Sequence, residues 1–184
     1  MLTQISQLLL QTVTSLILIV IMLRFWLQVV RANFRNPLAQ AIVKLTSPLI
    51  VPVRRIVPAI GTLDTATLLV AYAAQVLAIA AMYLLQGVML PLATLLIFAV
   101  FELARLSIYM FLFAIIIGVV LSWIAPGNYN PAGALADELA RPIMTPIRQV
   151  IPPIAGLDLS PLGAILVLQI GLIVLNNLQA GVFA

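Results

Sequence analysis

Hydrophobic positions along the chain fall into four long runs separated by shorter polar stretches. The runs cover residues 8–30, 66–86, 103–124 and 161–180. A helix that crosses a bilayer needs about 20 consecutive, mostly apolar residues. Each run meets that requirement, so the pattern predicts an all-α integral membrane protein with four transmembrane helices.

The chain also contains an internal repeat. A shift of 94 residues aligns residues 36–75 with 130–169 without a gap, and twelve of these forty pairs are identical. The identical pairs are Asn36/Asn130, Pro37/Pro131, Leu45/Leu139, Pro48/Pro142, Pro52/Pro146, Arg54/Arg148, Pro58/Pro152, Ile60/Ile154, Leu63/Leu157, Asp64/Asp158, Leu68/Leu162 and Gln75/Gln169. Shared apolar composition would not place prolines, an arginine and an aspartate in register. We therefore predict two parallel repeats, residues 1–92 and 93–184, each made of a span, a structured loop and a span.

One stretch departs from the repeat. As a single helix, residues 88–124 would be about 55 Å long, which exceeds the thickness of a bilayer core. The repeat offset assigns the span to residues 103–124 and leaves 88–101 as an extra amphipathic or tilted segment at the outer face. Glu102 and Arg105 are three residues apart and are expected to pair on one helix face.

Composition narrows the class of protein. Hydrophobic residues make up 64% of the chain and charged residues 8%, more apolar than a soluble protein of this length. The sequence has neither Cys nor His, which excludes disulfides, thiolate nucleophiles and imidazole bases. We predict no enzyme, no cofactor and no metal site. The first run is expected to stay in the mature chain, because nothing basic precedes it and no cleavage site follows it.

Positive charge is concentrated on one side of the predicted spans. Eight of the nine Lys and Arg residues lie there: Arg24, Arg31, Arg35, Lys44, Arg54, Arg55, Arg141 and Arg148. By the positive-inside rule this side is cytoplasmic. Both termini and the short 86–91 connection are then expected outside.

The repeated loops begin with a helix-starting dipeptide and contain several prolines. Asn36-Pro37 and Asn130-Pro131 have the chemistry of an N-cap followed by a first helical residue. The later prolines are Pro48, Pro52 and Pro58 in the first repeat and Pro142, Pro146 and Pro152 in the second. Internal prolines remove backbone donors, so each helix is expected to end or break there. Such a segment cannot face lipid with unpaired backbone groups, so we expect an interfacial helical segment on the cytoplasmic side, with a shallow re-entrant as the alternative.

The repeated arginines have three possible roles. Arg54 and Arg148 can anchor the chain at anionic lipid headgroups, can pair with Asp64 and Asp158, or can form a surface that a partner recognises. Headgroup anchoring is the commonest role for basic residues at this face. Asp64 and Asp158 precede spans, where a carboxylate also caps the helix.

Gln75 and Gln169 form a symmetric polar pair inside the spans. Each lies about 16 Å along its helix, near the bilayer midplane. An interhelical hydrogen bond across the repeats is the simpler interpretation, and a polar lining of a permeation path is the alternative. Two amides make a poor site for a cation or a proton.

The paired stretches NPLAQAIVKLTSPLIVPVRRIVPAIGTLD and NPAGALADELARPIMTPIRQVIPPIAGLD resemble the signature of the YggT (YlmG) family of small bacterial and plastid membrane proteins. The resemblance extends over nearly the whole chain. The second repeat differs from the first at two motif positions: it has Gln149 where the first has Arg55, and Pro153 where the first has Ala59. These differences argue against a role that needs a double arginine in both repeats.

The resemblance implies residence in the bacterial inner membrane. It also implies roles linked to osmotic or ion homeostasis, to cell division and nucleoid organisation, or to assembly of cytochrome b6 in plastids. Two hypotheses follow: an adaptor or assembly factor that docks a larger membrane complex through its basic loops, and an oligomeric channel or transporter-like protein. The expected partners are anionic lipid headgroups and either a membrane protein or further copies of the chain, and nucleic acid is not expected.

Overall fold

The computed structural model describes residues 2–61, 63–124, 130–151 and 158–183. Six helices occupy most of these ranges: α1 (Leu2–Val29), α2 (Pro37–Arg54), α3 (Thr65–Leu84), α4 (Leu92–Ile124), α5 (Pro131–Val150) and α6 (Ser160–Phe183). The order repeats the pattern of long helix, shorter proline-containing helix and long helix. The predicted all-α class is confirmed.

Four of the helices are long and apolar enough to cross a membrane. The qualifying segments are Thr3–Val29, Thr65–Leu84, Leu92–Ile124 and Ser160–Val182. They contain most of the four predicted spans, so the prediction of a multi-pass architecture is confirmed by length and composition.

The third of these helices is longer than predicted. α4 contains 33 residues and is therefore about 50 Å long. Residues 92–101 of the predicted extra segment at 88–101 thus belong to the same helix as the span, and residues 88–91 precede it. No Pro or Gly lies between Pro91 and Gly118, and nothing local stops the helix. The charged residues inside it, Glu102 and Arg105, pair with each other as predicted.

The shorter helices continue through their internal prolines. α2 contains Pro48 and Pro52 and ends at Arg54, and α5 likewise contains its own proline pair, Pro142 and Pro146. The predicted break at these positions is therefore wrong. Within each pair the prolines are four residues apart on one exposed face, where carbonyl groups without a helical donor can be solvated.

The chain divides into two compact units. Unit 1 comprises Met1–Phe25 and Ile42–Leu106, and unit 2 comprises Trp26–Ala41 and Ser107–Ala184. The repeat boundary at residues 92 and 93 remains a prediction from the sequence.

Each unit has its own apolar core. Ile21, Met22 and Ile50 are fully buried in unit 1, and Leu27 and Ile115 are fully buried in unit 2. This burial fixes the helices that carry the polar residues described below.

Polar and aromatic contacts supplement packing in unit 2. The Trp26 indole Nε1 donates to Ser107 Oγ at 3.0 Å. Its ring meets the Phe111 ring edge-on, with 4.8 Å between centroids. The end of α1 is thereby held against the second half of α4.

Candidate interaction site

The asparagines that precede the short helices cap them. Asn36 Oδ1 accepts a hydrogen bond from the Leu38 N–H at 2.9 Å, and Asn130 Oδ1 accepts one from the Ala132 N–H at 2.9 Å. Asn36 also donates through Nδ2 to the Pro131 carbonyl at 2.7 Å. The predicted helix starts are confirmed, and Asn36 joins the first turns of α2 and α5.

In unit 1, Arg54 and Asp64 form the ion pair that their ten-residue spacing allowed. The Asp64 side chain is fully buried, whereas that of Arg54 is 40% exposed. Asp64 is also the N-cap of α3 and accepts hydrogen bonds from the backbone and the hydroxyl of Thr67. One carboxylate therefore holds both the end of α2 and the start of α3.

These contacts set the titration of Asp64. Burial alone would raise the pKa of its carboxyl, but the hydrogen bonds from Thr67 and from the Arg54 guanidinium hold that pKa below its ordinary value. Asp64 is therefore ionised at neutral pH in the folded protein.

The connection between α2 and α3 is tied at further points. Thr65 Oγ1 donates to the Pro58 carbonyl at 2.6 Å. Ile60 and Leu63 exchange two backbone hydrogen bonds of 3.0 and 3.1 Å. Gly61 lies in this turn with a φ of +61°, which a residue with a Cβ adopts only at a cost. The described residues of the connection are thus held by specific hydrogen bonds.

The same segment exposes large apolar side chains. Ile56 is 84% exposed, and Ile60 is exposed as well. Arg55 beside them is also exposed. The connection presents an apolar surface next to a positive charge.

Unit 2 contains the corresponding ion pair between Arg148 and Asp158, at 3.1 Å. It is more open to solvent, with side-chain exposures of 59% and 41%. Asp158 Oδ1 accepts the Ser160 N–H at 2.9 Å at the start of α6, and Ser160 Oγ donates to the Ile151 carbonyl at 3.1 Å.

Asp158 shows the same competition of effects as Asp64. Burial would raise its pKa, but hydrogen bonds from Ser160 and the nearby Arg148 guanidinium lower that pKa below the ordinary value. The predicted Pro152 and the departing residue Pro153 lie outside the described residues.

Arg24 has a role that sequence reasoning missed. The charge pattern places it among the basic residues that set topology, yet its side chain is buried in unit 1. Its Nη1 donates to the Val43 carbonyl at 3.1 Å, to Thr46 Oγ1 at 2.9 Å and to Ser47 Oγ at 3.2 Å. The sequence does contain a signal for this role: a cation, Arg24, lies inside an apolar run, and two adjacent hydroxyl residues, Thr46 and Ser47, lie on the next helix.

Unit 2 contains a cavity of about 1100 Å³. Its walls come from the second half of α4, from α5 and from the start of α6. The charged residues in the lining are Asp137, Arg141, Arg148 and Asp158. Most of the remaining lining is apolar, so the cavity combines a few charges with hydrophobic walls.

The two intramembrane glutamines differ in their surroundings. Gln75 is half-buried on α3, and Gln169 is exposed on α6. Among the residues that the structure describes, neither amide has a hydrogen-bond partner. The hydrogen bond predicted across the two repeats, and the alternative of a polar lining for a permeation path, stay predictions.

The family model for CCB3/YggT matches residues 3–85 and 97–179. The chain belongs to the CCB3/YggT family. The starts of the two matched ranges are 94 residues apart, and so are their ends. The offset found in the loops therefore holds over whole CCB3/YggT repeats.

Curated relatives cover most of the chain. An uncharacterized protein of Pseudomonas aeruginosa is 43% identical over 93% of this chain and 88% of its own length. An uncharacterized protein of Vibrio alginolyticus is 38% identical over 95% of this chain and 92% of its own. The uncharacterized protein YggT of Escherichia coli K12 is 34% identical over 88% of this chain and 84% of its own length. No solved structure gives a significant match.

Proposed function

We propose that this CCB3/YggT protein is a non-enzymatic adaptor or assembly factor of the bacterial inner membrane. Its basic cytoplasmic loops, foremost the connection after α2, dock a larger membrane protein complex. The observation that carries the proposal is the intramolecular ion pair of Arg54 with Asp64. This pair fixes the shape of the segment that follows α2.

A fixed segment suits docking because less conformational entropy is lost when a partner binds. The exposed Ile56 and Ile60 supply apolar contact area, and Arg55 supplies a positive charge. A membrane protein with an apolar surface bordered by acidic residues would complement them. Arg54, paired with Asp64, shapes this surface, and the exposed residues contact the partner.

Exposed basic residues of the first loop support contact with anionic lipid headgroups. Lys44, Arg35 and Arg55 are exposed and would each add attraction to a negatively charged leaflet. This is the orientation that the positive-inside rule predicts, with both termini outside.

A pull-down from native membranes in nanodiscs tests the docking proposal. The tagged protein is compared with an Arg55→Gln, Ile56→Ser double variant, which changes the exposed surface and leaves the Arg54 ion pair in place. Arg35→Gln is the matched control, since it removes one exposed positive charge outside the tied segment. We expect a stoichiometric partner that the double variant loses and the control retains. Equal recovery of every membrane complex with all three proteins would contradict the proposal.

A second candidate, an oligomeric channel or transporter that acts in osmotic or ion homeostasis, is favoured by Gln169. An exposed amide near the middle of an apolar span is costly in lipid unless it meets a polar partner. A second copy would supply that partner, because Gln169 of each chain can donate to and accept from the other.

The absence of cysteine from the chain makes this candidate easy to test. Gln169→Cys is expected to cross-link between copies under oxidising conditions in membranes. Ala164→Cys is the control, because Ala164 is fully buried on the same helix. Cross-linking at residue 169 together with ion or osmolyte flux in liposomes would establish the second candidate, and monomeric protein without flux would eliminate it.

A further inference from the structure

The cavity in unit 2 is lined by two residues that correspond in sequence to Arg24 and to one of its partners in the first repeat. The offset of 94 residues pairs Arg24 with Gly118. It also pairs Val43, whose carbonyl accepts a hydrogen bond from Arg24, with Asp137. The second repeat therefore lacks the internal cation and has a carboxylate on the facing helix.

The geometry places this carboxylate directly over the glycine. A Cβ at Gly118 would lie 2.9 Å from Asp137 Oδ1, and both residues line the cavity. Among the described residues, Asp137 forms no hydrogen bond and no ion pair through its side chain. Asp137 is exposed, so its carboxylate is accessible to a cationic group of a molecule in the cavity, with which it would form a charge-assisted hydrogen bond.

Arg141, which has no partner within the described ranges either, lies close to Asp137. Four charged residues line the cavity. Arg148 and Asp158 form an ion pair at 3.1 Å, and the other two are Asp137 and Arg141. These two lie one turn apart on α5, with about 5–6 Å between Cβ atoms, yet they do not form an ion pair in the described structure. An ammonium and a phosphate joined by a short linker would satisfy both side chains.

The remaining walls suit hydrocarbon. Ile115, Val119 and Leu121 line the cavity from α4, and Leu162 and Ile165 line it from α6. A soluble metabolite would leave much of this apolar surface uncovered, whereas lipid acyl chains would bury it.

We propose that this cavity binds a zwitterionic phospholipid that carries a primary amine. Its ammonium contacts Asp137, its phosphate contacts Arg141, and its acyl chains lie along α4 and α6. The proposal does not depend on the docking function, because none of these residues belongs to the segment after α2.

Native mass spectrometry of the purified full-length protein tests this site. The probes are phosphatidylethanolamine and phosphatidylcholine with identical acyl chains, which have the same formal charge but differ in the N–H donors of the head group. We expect wild-type protein to prefer phosphatidylethanolamine by about tenfold. Asp137→Asn should reduce this preference to about twofold or less.

Glu138→Gln is the matched control. It removes one negative charge from the neighbouring position on α5, does not line the cavity, and keeps an oxygen that accepts the Asn33 N–H. It should retain the wild-type lipid preference. An unchanged preference in Asp137→Asn, or equal binding of both lipids to wild type, would overturn the proposal.

A second variant transfers the cation of the first repeat into the second. Gly118→Arg should abolish the preference for phosphatidylethanolamine while the melting temperature stays unchanged or rises. The Asp137 carboxylate is the end of a flexible side chain, so it can shift to admit the new Cβ and pair with the guanidinium. Retention of the lipid preference in a folded Gly118→Arg protein contradicts the proposal.

Soluble phosphoethanolamine separates the two possible sources of this head group. If it displaces the lipid at equal molar concentration, the acyl chains add nothing and the site is one for a soluble zwitterion. That outcome overturns the lipid assignment. Failure of soluble phosphoethanolamine to compete supports it.

Discussion

The two copies of the arginine–aspartate pair provide an internal comparison of a buried and an exposed carboxylate. Asp64→Ala and Asp158→Ala remove the same side chain from corresponding positions. Asp64 is fully buried and caps α3, whereas Asp158 is 41% exposed. We expect the first substitution to destabilise the protein considerably more than the second.

The magnitude follows from the contacts that are lost. Removing an N-cap costs about 1 kcal/mol, and removing a charge-assisted hydrogen bond costs about 1.5–3 kcal/mol. Arg54 keeps access to solvent, which limits the penalty of leaving it unpaired. Asp64→Ala should therefore reduce the free energy of unfolding by about 3 kcal/mol, or about 6–12 °C in melting temperature for a chain of this size. Asp158→Ala should cost about 1 kcal/mol, because solvent screens its ion pair.

The assay is SDS-induced or thermal unfolding of purified protein in detergent, followed by helical circular dichroism. Asp64→Asn separates the two contributions, since the amide still caps the helix but lacks the charge. Arg54→Ala completes a double-mutant cycle with Asp64→Ala. Equal losses at Asp64 and Asp158, or a loss below about 0.5 kcal/mol for Asp64→Ala, would refute the argument from burial.

Three further predictions use the same unfolding assay. Arg24→Leu should destabilise the protein by about 1–3 kcal/mol because the fixed hydrogen bonds to α2 are lost, and wild-type stability would contradict a structural role for Arg24. Asn36→Ala should cost about 1–2 kcal/mol through the lost cap and the lost bond to Pro131, while Asn36→Asp should recover only the cap. The folded pKa values of Asp64 and Asp158 lie below the ordinary Asp value of about 3.9. Their stabilising contribution is therefore complete above that pH and is lost as pH falls through the lowered values. The free energy of unfolding of the Asp64→Asn, Asp158→Asn double variant should depend less steeply on pH than that of wild type, and an equal slope would contradict this account.

Features governed by neighbouring residues could be predicted from the sequence. The apolar runs located the four long helices, since crossing length depends only on consecutive composition. The asparagine–proline dipeptides located the starts of α2 and α5 because capping is a local interaction. The ten-residue spacing made the Arg54–Asp64 pair one of the possible roles for these residues, although the sequence favoured headgroup anchoring.

Local rules failed where packing or exposure decided the outcome. Pro48 and Pro52 were expected to end α2, but they lie on an exposed face and the helix continues to Arg54. α4 is one helix because no residue between Pro91 and Gly118 interrupts it. The expectation of a separate segment came from bilayer thickness, which limits how a helix is placed in a membrane and not how far it can extend.

The sequence by itself determined the repeat, the helical class, the spans and the chemistry available at their ends. Only the tertiary structure decided which of these groups meet: that Arg24 is buried against the hydroxyls of α2, and that Gly118 leaves Asp137 beside a cavity. The physical reason is distance along the chain. Hydropathy and capping depend on residues within a turn or a span, whereas contacts between helices depend on how whole apolar faces pack, and no short stretch of sequence specifies that packing.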